Sequence, residues 1–326
     1  MNRLRILFWH VHGSYLNALA RIDHDWFLPT KPGRPEGYGG RGRTFDLPET
    51  LVEVPAEQVR DLDLDLVLYQ TPKNLLLDGP ELLSEAQRML PRVYLEHNTP
   101  KPDAVNTRHP FTDPHGLLVH VTRYNRLMWD NGETPTSTIE HSVAIDPAIT
   151  ASFELPRGIV AVNGPQKRPR IAGYDLFLAA RERVPLDIVG METEPLGGFG
   201  DVPYRDLHAL VARYRFLYSP MRYTSLPLAV VEAMTLGLPV VALATTELPS
   251  TIENGVTGFV SNDPDELVER MLLLLADEDL ARRLGDNARR VAATRFGLDR
   301  FKRDWEGAFA IARDLASVPV GAEGGR

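Results

Sequence analysis

Apolar residues recur in this chain in two rhythms. Short, nearly unbroken runs at Leu4–His10, Leu51–Val54, Leu64–Tyr69, Arg92–Glu96, Thr138–Val143, Gly158–Asn163, Leu186–Gly190, Arg215–Tyr218 and Pro239–Ala244 predict strands. Runs apolar on both faces suit a parallel sheet covered by helices on each side. Between them, helical spacing marks Tyr15 to about Ile22, Leu75–Leu90, a segment ended by Gly132, a helix beginning near Tyr174, Asp206–Tyr214, Asp265–Leu275, Leu280–Phe296 and Asp299–Leu315. The alternation predicts α/β architecture. Leu28–Pro48 breaks it as a loop, Phe301, Trp305 and Phe309 form a core stripe on the last helix, and the end, SVPVGAEGGR, reads as disordered.

One stretch, Ser219–Val260, carries the most chemistry. It predicts a loop, a short helix, a buried strand and a second glycine-punctuated loop. Thr224 or Ser225 can cap the helix through a side-chain oxygen, and Pro227 suits its first turn. Gly237 then closes it and Pro239 prevents continuation. Amides at Thr224–Leu226, with Arg222 just before them, form an anion site at the positive end of the helix. Glu232 stands on the same mostly apolar helix, roughly 10 Å along its axis. A carboxylate there needs a partner. A pair of sugar hydroxyls would serve, as would an arginine, and a capped helix with a structurally paired glutamate is the plainer alternative.

Composition narrows the picture. A chain of 326 residues exceeds what one core serves, and 43% hydrophobic residues suffice for two domains. The net charge of −8 argues against a nucleic-acid partner. With no cysteine, disulfides and thiolate metal sites are excluded. The run before His10 is too short for a signal peptide and no stretch reaches the length of a membrane span, so the expectation is a soluble cytoplasmic protein.

Further candidates lie at loops. Val11–Ser14 turns from the first strand into a helix, which brings Gly13 and His12 to the end of a parallel strand, where open α/β sheets bind ligands. The segment KPGRPEGYGGRGR holds five glycines and four basic residues, so Arg41 and Arg43 are candidates for gripping an acidic acceptor; a solvated insertion is the alternative. Asp61, Asp63 and Asp65 alternate with leucines and read as the polar edge of a strand, not as a metal site. Pro100 and Pro102 force an extended exit after the strand predicted at Arg92–Glu96, which sets His97 at its carboxyl end. Lys167, Arg168 and Arg170 crowd a loop before a helix, an arrangement that asks for a neutralising anion such as a diphosphate.

The run PLAVVEAMTLGLPVVA, followed by NGVTGFV, resembles the donor-binding core of the retaining nucleotide-sugar glycosyltransferases of family 4. The resemblance is close over some forty residues. It implies a GT-B fold: two Rossmann-like parallel-sheet domains facing across a cleft, with the last helix crossing back to the first domain. That family spaces two glutamates by seven residues. Glu232 matches the second, which holds the ribose hydroxyls, while Thr224 replaces the first. A family histidine near His97 contacts the donor sugar or its phosphate, so His97 and Glu232 become the catalytic candidates. Gly13, Lys167, Arg168, Arg170, Arg222, Thr224, Ser225 and Leu226 become the donor site, and His12, Arg41 and Arg43 the acceptor side. The family's clamp lysine is replaced by Ala172, before Gly173, and His141 resembles a crossover residue.

The implied domains are 1–145 and 146–300, then a helix at 301–316 packing back on the first domain and a tail at 317–326. The implied activity is metal-independent and cofactor-free transfer of a sugar from a nucleotide diphosphate to a glycan, lipid or small-molecule acceptor, with peripheral membrane contact open. A GT-B sugar-nucleotide epimerase and a non-catalytic nucleotide-sugar binder are the alternatives.

Overall fold

The computed structural model describes residues 3–42, 44–45 and 47–318. The chain divides into one unit ending at Ser142 and resuming at Leu298, and a second unit, Val143–Gly297. Both divisions fall a few residues before the boundaries read from the sequence. The predicted tail lies outside the described residues from position 319 on.

Seven strands build the first unit: β1 (Arg5–Phe8), β2 (Asp25–Thr30), β3 (Leu51–Pro55), β4 (Leu66–Tyr69), β5 (Arg92–Glu96), β6 (Leu117–His120) and β7 (Thr136–Thr138). They pair in parallel in the order β3-β2-β1-β4-β5-β6-β7, which reverses between β1 and β4. Successive side chains of a strand face opposite ways. Ile6, Phe8, Leu66, Leu68, Val93 and Leu95 accordingly enter one core, and Leu7, Trp9, Val67, Tyr69 and Tyr94 the other. The helix Leu298–Ala316 returns to this unit and adds Phe301, Trp305 and Phe309 to the first of these cores, where Trp305 Nε1 donates to Tyr15 Oη at 3.2 Å.

Three expectations for this unit change. The strand β2 runs into the start of the predicted loop and includes Pro29. β1 pairs with β2 only as far as Phe27, so Pro29 faces a neighbour on the β3 side alone and its missing N–H breaks no ladder toward β1. The strand predicted at Thr138–Val143 ends at Thr138, and Ile139–Asp146 carries no regular structure as the chain leaves the unit. Leu75–Leu90 is broken into shorter pieces, the last opened by Ser84, whose Oγ accepts from Gln87 N while Gln87 Oε1 accepts from Ser84 N.

The second unit holds β8 (Gly158–Ala161), β9 (Leu186–Val189), β10 (Phe216–Ser219), β11 (Val240–Leu243) and β12 (Gly258–Ser261). The parallel order β12-β11-β10-β8-β9 reverses between β8 and β10. β12 lies where only a loop was expected. Gly258 admits the β11 backbone: a Cβ there would stand 2.1 Å from the Val240 carbonyl oxygen. Two helices, Pro264–Ala276 and Glu278–Arg295, follow, capped by the carboxylates of Asp263 and Asp277.

Candidate functional site

The helix of the central stretch runs from Leu228 to Leu236 and ends as its composition requires. Gly237 takes a left-handed φ of 87°, its N–H bonds Met234 O, and Leu238 N–H reaches back to Ala233 O at 2.9 Å. The start differs from expectation. Pro227 is the cap residue and no side chain caps the helix, so Thr224 and Ser225 belong to an irregular turn between β10 and the helix. Pro227 holds extended dihedrals and delays the first helical residue to Leu228.

Glu232 is 9% exposed. Its neighbour is neither arginine nor cap but His208, on the helix Tyr204–Val211, with Nε2 3.7 Å from Glu232 Oε1. That separation exceeds a hydrogen bond. The His208 Nε2 has no partner and the Tyr204 ring stacks edge-on against the imidazole at 4.5 Å.

The cationic loop sits at the carboxyl end of β8, beside the exit from β10, where the strand order reverses. Such switch points are where open α/β sheets hold ligands. Arg222 N–H bonds Ile171 O, and Gly173, at φ 69°, leaves room for the chain after β10: a Cβ would lie 1.9 Å from Pro220 O. The expected crowding of unpaired cations is relieved by the chain's own acids. Asp175 accepts both Arg222 Nη1 at 2.6 Å and Nη2 at 2.8 Å, and also Arg170 Nη1 at 2.9 Å. The Arg222 guanidinium holds the Asp175 carboxyl below its usual range against the opposing effect of burial. Lys167 Nζ pairs with Glu192 at 2.5 Å, and Arg168 Nη2 donates to Asn163 O at 3.1 Å. Two guanidiniums on one carboxylate leave a net positive charge. Ala172, at the position of the expected clamp lysine, is buried at 2% exposure.

In the first unit a second group gathers at the ends of β1, β4 and β5. Gln70 Nε2 donates to Trp9 O at 2.6 Å, and Gln70 Oε1 accepts from His97 Nε2 at 3.0 Å. His97 is 7% exposed and meets the rings of His12 and Tyr15 edge-on at 4.5 and 4.8 Å; Tyr15 also faces His141 at 5.7 Å. Burial, then the neighbouring His12 and His141, hold His97 well below the ordinary histidine range. Burial, with His12 and Arg300, lowers His141 to about 3, and burial with His10 lowers His12. Near neutral pH these rings are uncharged, so His97 brings no positive charge. Gly13 opens the helix Gly13–Leu19 after His12, and a Cβ there would meet the Phe45 ring at 2.4 Å.

The basic loop is fastened down. Arg41 donates to the carbonyls of Leu47, Pro48 (2.8 Å) and Leu51 (2.5 Å), and its amide bonds Glu53, which also holds Arg34. Its guanidinium is therefore spent on the backbone and not presented to an acceptor. Arg43 lies outside the described residues. Among the described residues, no group of three histidine, aspartate or glutamate side chains could hold a metal, and no helix is long and apolar enough to cross a membrane.

Asp175, Gln70 and His208 were not anticipated. Asp175 had a readable signal, an acid in the first turn of a helix just after three cations. Gln70 and His208 had none, since each acts across elements distant in sequence.

Residues 197–291 match the family Glycosyl transferases group 1. An uncharacterized glycosyltransferase of Haemophilus influenzae is 30% identical over 91 residues, 27% of this chain; the chain spans about a quarter of that relative's length, 26%. Sucrose-phosphate synthase from Thermosynechococcus elongatus superposes with a TM-score of 0.70 at 15% identity, over 94% of this chain and 98% of that one. HepE of Anabaena, solved in complex with UDP, gives 0.66 at 16% identity over 94% and 100%. A glycosyltransferase from Rickettsia africae gives 0.70 at 14% identity over 98% and 100%. These likenesses establish the fold as GT-B.

Proposed function

We propose, taking the membership of residues 197–291 in the group 1 glycosyltransferases as the premise, that this chain transfers a sugar from a nucleotide-diphosphate donor to an acceptor hydroxyl. The observation that carries this reading is the second unit's switch point. The matched segment contains Arg222, the Thr224–Leu226 turn and Glu232, and Gly173 packs the cationic loop against the exit of β10.

In this reading the donor diphosphate lies against Lys167, Arg168, Arg170 and Arg222, and the buried Glu232 carboxylate accepts hydrogen bonds from the ribose. Negative charge develops on the leaving phosphate, and fixed cations and amides stabilise it without reorganising. The bond from the anomeric carbon to the phosphate oxygen breaks while the acceptor oxygen attacks from the same face. The acceptor's proton passes to the departing phosphate, and configuration is retained. The chemistry needs no metal. The relatives solved with UDP and UDP-glucose favour uridine as the first base to try.

A non-catalytic nucleotide-sugar binder is the second reading, favoured by the buried Ala172 in place of a clamp lysine and by Asp175 already occupying two arginines. Thermal shift with UDP, GDP, ADP, TDP and CMP, with magnesium or chelator, separates the readings when followed by turnover of the matching sugar nucleotide. Ligand binding to the native state raises the melting temperature. A selective, chelator-insensitive shift with sugar transfer supports the enzyme; a shift without turnover supports the binder; silence at millimolar nucleotide overturns both. Glu232→Ala should weaken the nucleotide, and unchanged affinity would remove the ribose assignment.

A further inference from the structure

The first unit carries a groove of about 620 Å³ that the donor reading does not use. One wall is Arg123 and Arg126, on the helix Arg123–Met128; another is Ser137 and Thr138 of β7. The first turns of the C-terminal helix close it with Arg300 and Asp304, beside Glu140. All of these residues belong to the first unit.

The charges of the lining do not balance internally. Arg300 donates to the carbonyls of Glu140 and His141 and pairs with Asp304 at 2.9 Å, which consumes both the base and the acid. Arg123 and Arg126 have no ion pair among the described residues, and Glu140 alone of the lining acids stands against the two of them. Residues three apart on a helix are neighbours on its surface. Arginine forks match the oxygens of a phosphate and bind it in two-point contacts.

At about 620 Å³ the space admits a phosphate and the group that carries it.

We propose that this groove binds a phosphate ester through Arg123 and Arg126, with Ser137 beside them in the lining. The proposal is independent of the donor site in the second unit. The same chemistry could be carried by a soluble phosphorylated molecule or by a lipid headgroup.

The test titrates inorganic phosphate calorimetrically into the full chain at low ionic strength, where attraction between exposed charges is least screened. The double substitution R123Q/R126Q should weaken the phosphate by about tenfold or more, equivalent to one decade of dissociation constant. R168Q/R170Q, in the second unit, should leave that binding event in place. R123K/R126K, which keeps both charges, should lose much less, and this guards against a folding defect in the double variant. Sedimentation with phosphatidylcholine vesicles, with and without phosphatidylglycerol, separates the sources. Capture that depends on phosphatidylglycerol and on the two arginines assigns a headgroup; indifference to the vesicles, with phosphate binding intact, assigns a soluble ester. Phosphate affinity unchanged in R123Q/R126Q, equal losses in R123Q/R126Q and R123K/R126K, or no phosphate binding by the unaltered chain, overturns the proposal.

Discussion

The two units open their sheets in the same way, at a reversal of strand order, and furnish the opening with opposite chemistry. At β1 and β4 the first unit gathers His97 and His141, buried and uncharged, around Tyr15, with His12 against His97 and Gln70 bridging strand ends. At β8 and β10 the second unit places guanidiniums near its surface and holds them with one aspartate. Eight of the nine histidines and all four tryptophans belong to the first unit. One opening excludes charge and the other stores it, so topology fixes where a ligand site can lie while side chains decide what it can hold.

Four substitutions break or sharpen this contrast. Trp305→Ala should cost the first unit about 3–5 kcal/mol, as for other large buried aromatics. Denaturant unfolding followed by the remaining tryptophans, all in the first unit, should shift, while the far-ultraviolet signal of the second unit stays; equal shifts of both would show that the units do not unfold separately. Gly173→Ala should cost about 1–3 kcal/mol, because alanine must hold a left-handed φ with its Cβ against Pro220 O. Melting of the second unit reads it, and an unchanged midpoint would contradict the packing described.

The third concerns pH. His97 and His141 have folded-state pKa values below the unfolded value, so the unfolded chain takes up protons first as the pH falls through about 6.5. Stability of the first unit is therefore full above that value and lost below it, by about 1.4 kcal/mol per such histidine at pH 5.5. His141→Phe should flatten the tryptophan-detected acid profile by that amount; an unaltered slope would mean His141 is not held neutral. Asp175 is depressed instead, so its contribution is present above the usual carboxylate range and lost only as the pH falls below about 4. The first unit should thus yield to acid before the second. The smallest effect is expected of Asp175→Asn. Asp175 and Arg170 are exposed and Arg222 partly so, which leaves both ion pairs open to solvent, and stability should change by less than about 1 kcal/mol. Releasing Arg170 and Arg222 should raise affinity for sulfate, and lowered affinity would show that Asp175 orients the arginines for the anion.

Much of this was legible in the order of residues. The strand runs and the closing Gly237 are local signals, and local rules placed them. Two predicted loops held strands, and each contains a residue that fits a strand only in its tertiary context: Pro29 stands where pairing with β1 has ended, and Gly258 makes room for a neighbouring backbone. The caps proposed at Thr224 and Ser225 failed because Pro227 holds extended dihedrals before the first turn. The cation cluster was visible, but its neutralisation was not. Arg222 and Asp175 lie 47 residues apart, and only the adjacency of β8 and β10 brings them into contact. Glu232 and His208 likewise meet across two helices.

The return of the last helix to the first unit also sets an order of manufacture. Residues 143–297 form a continuous segment that contains its entire core, so that unit can complete itself while the chain is still being made. The first unit begins earlier and finishes later. Until Phe301, Trp305 and Phe309 emerge, one face of its sheet lacks its cover, with Phe8, Leu68 and Leu95 among the residues left waiting. The part synthesised first is the part that folds last, and the intervening wait is when this protein most needs protection from its neighbours.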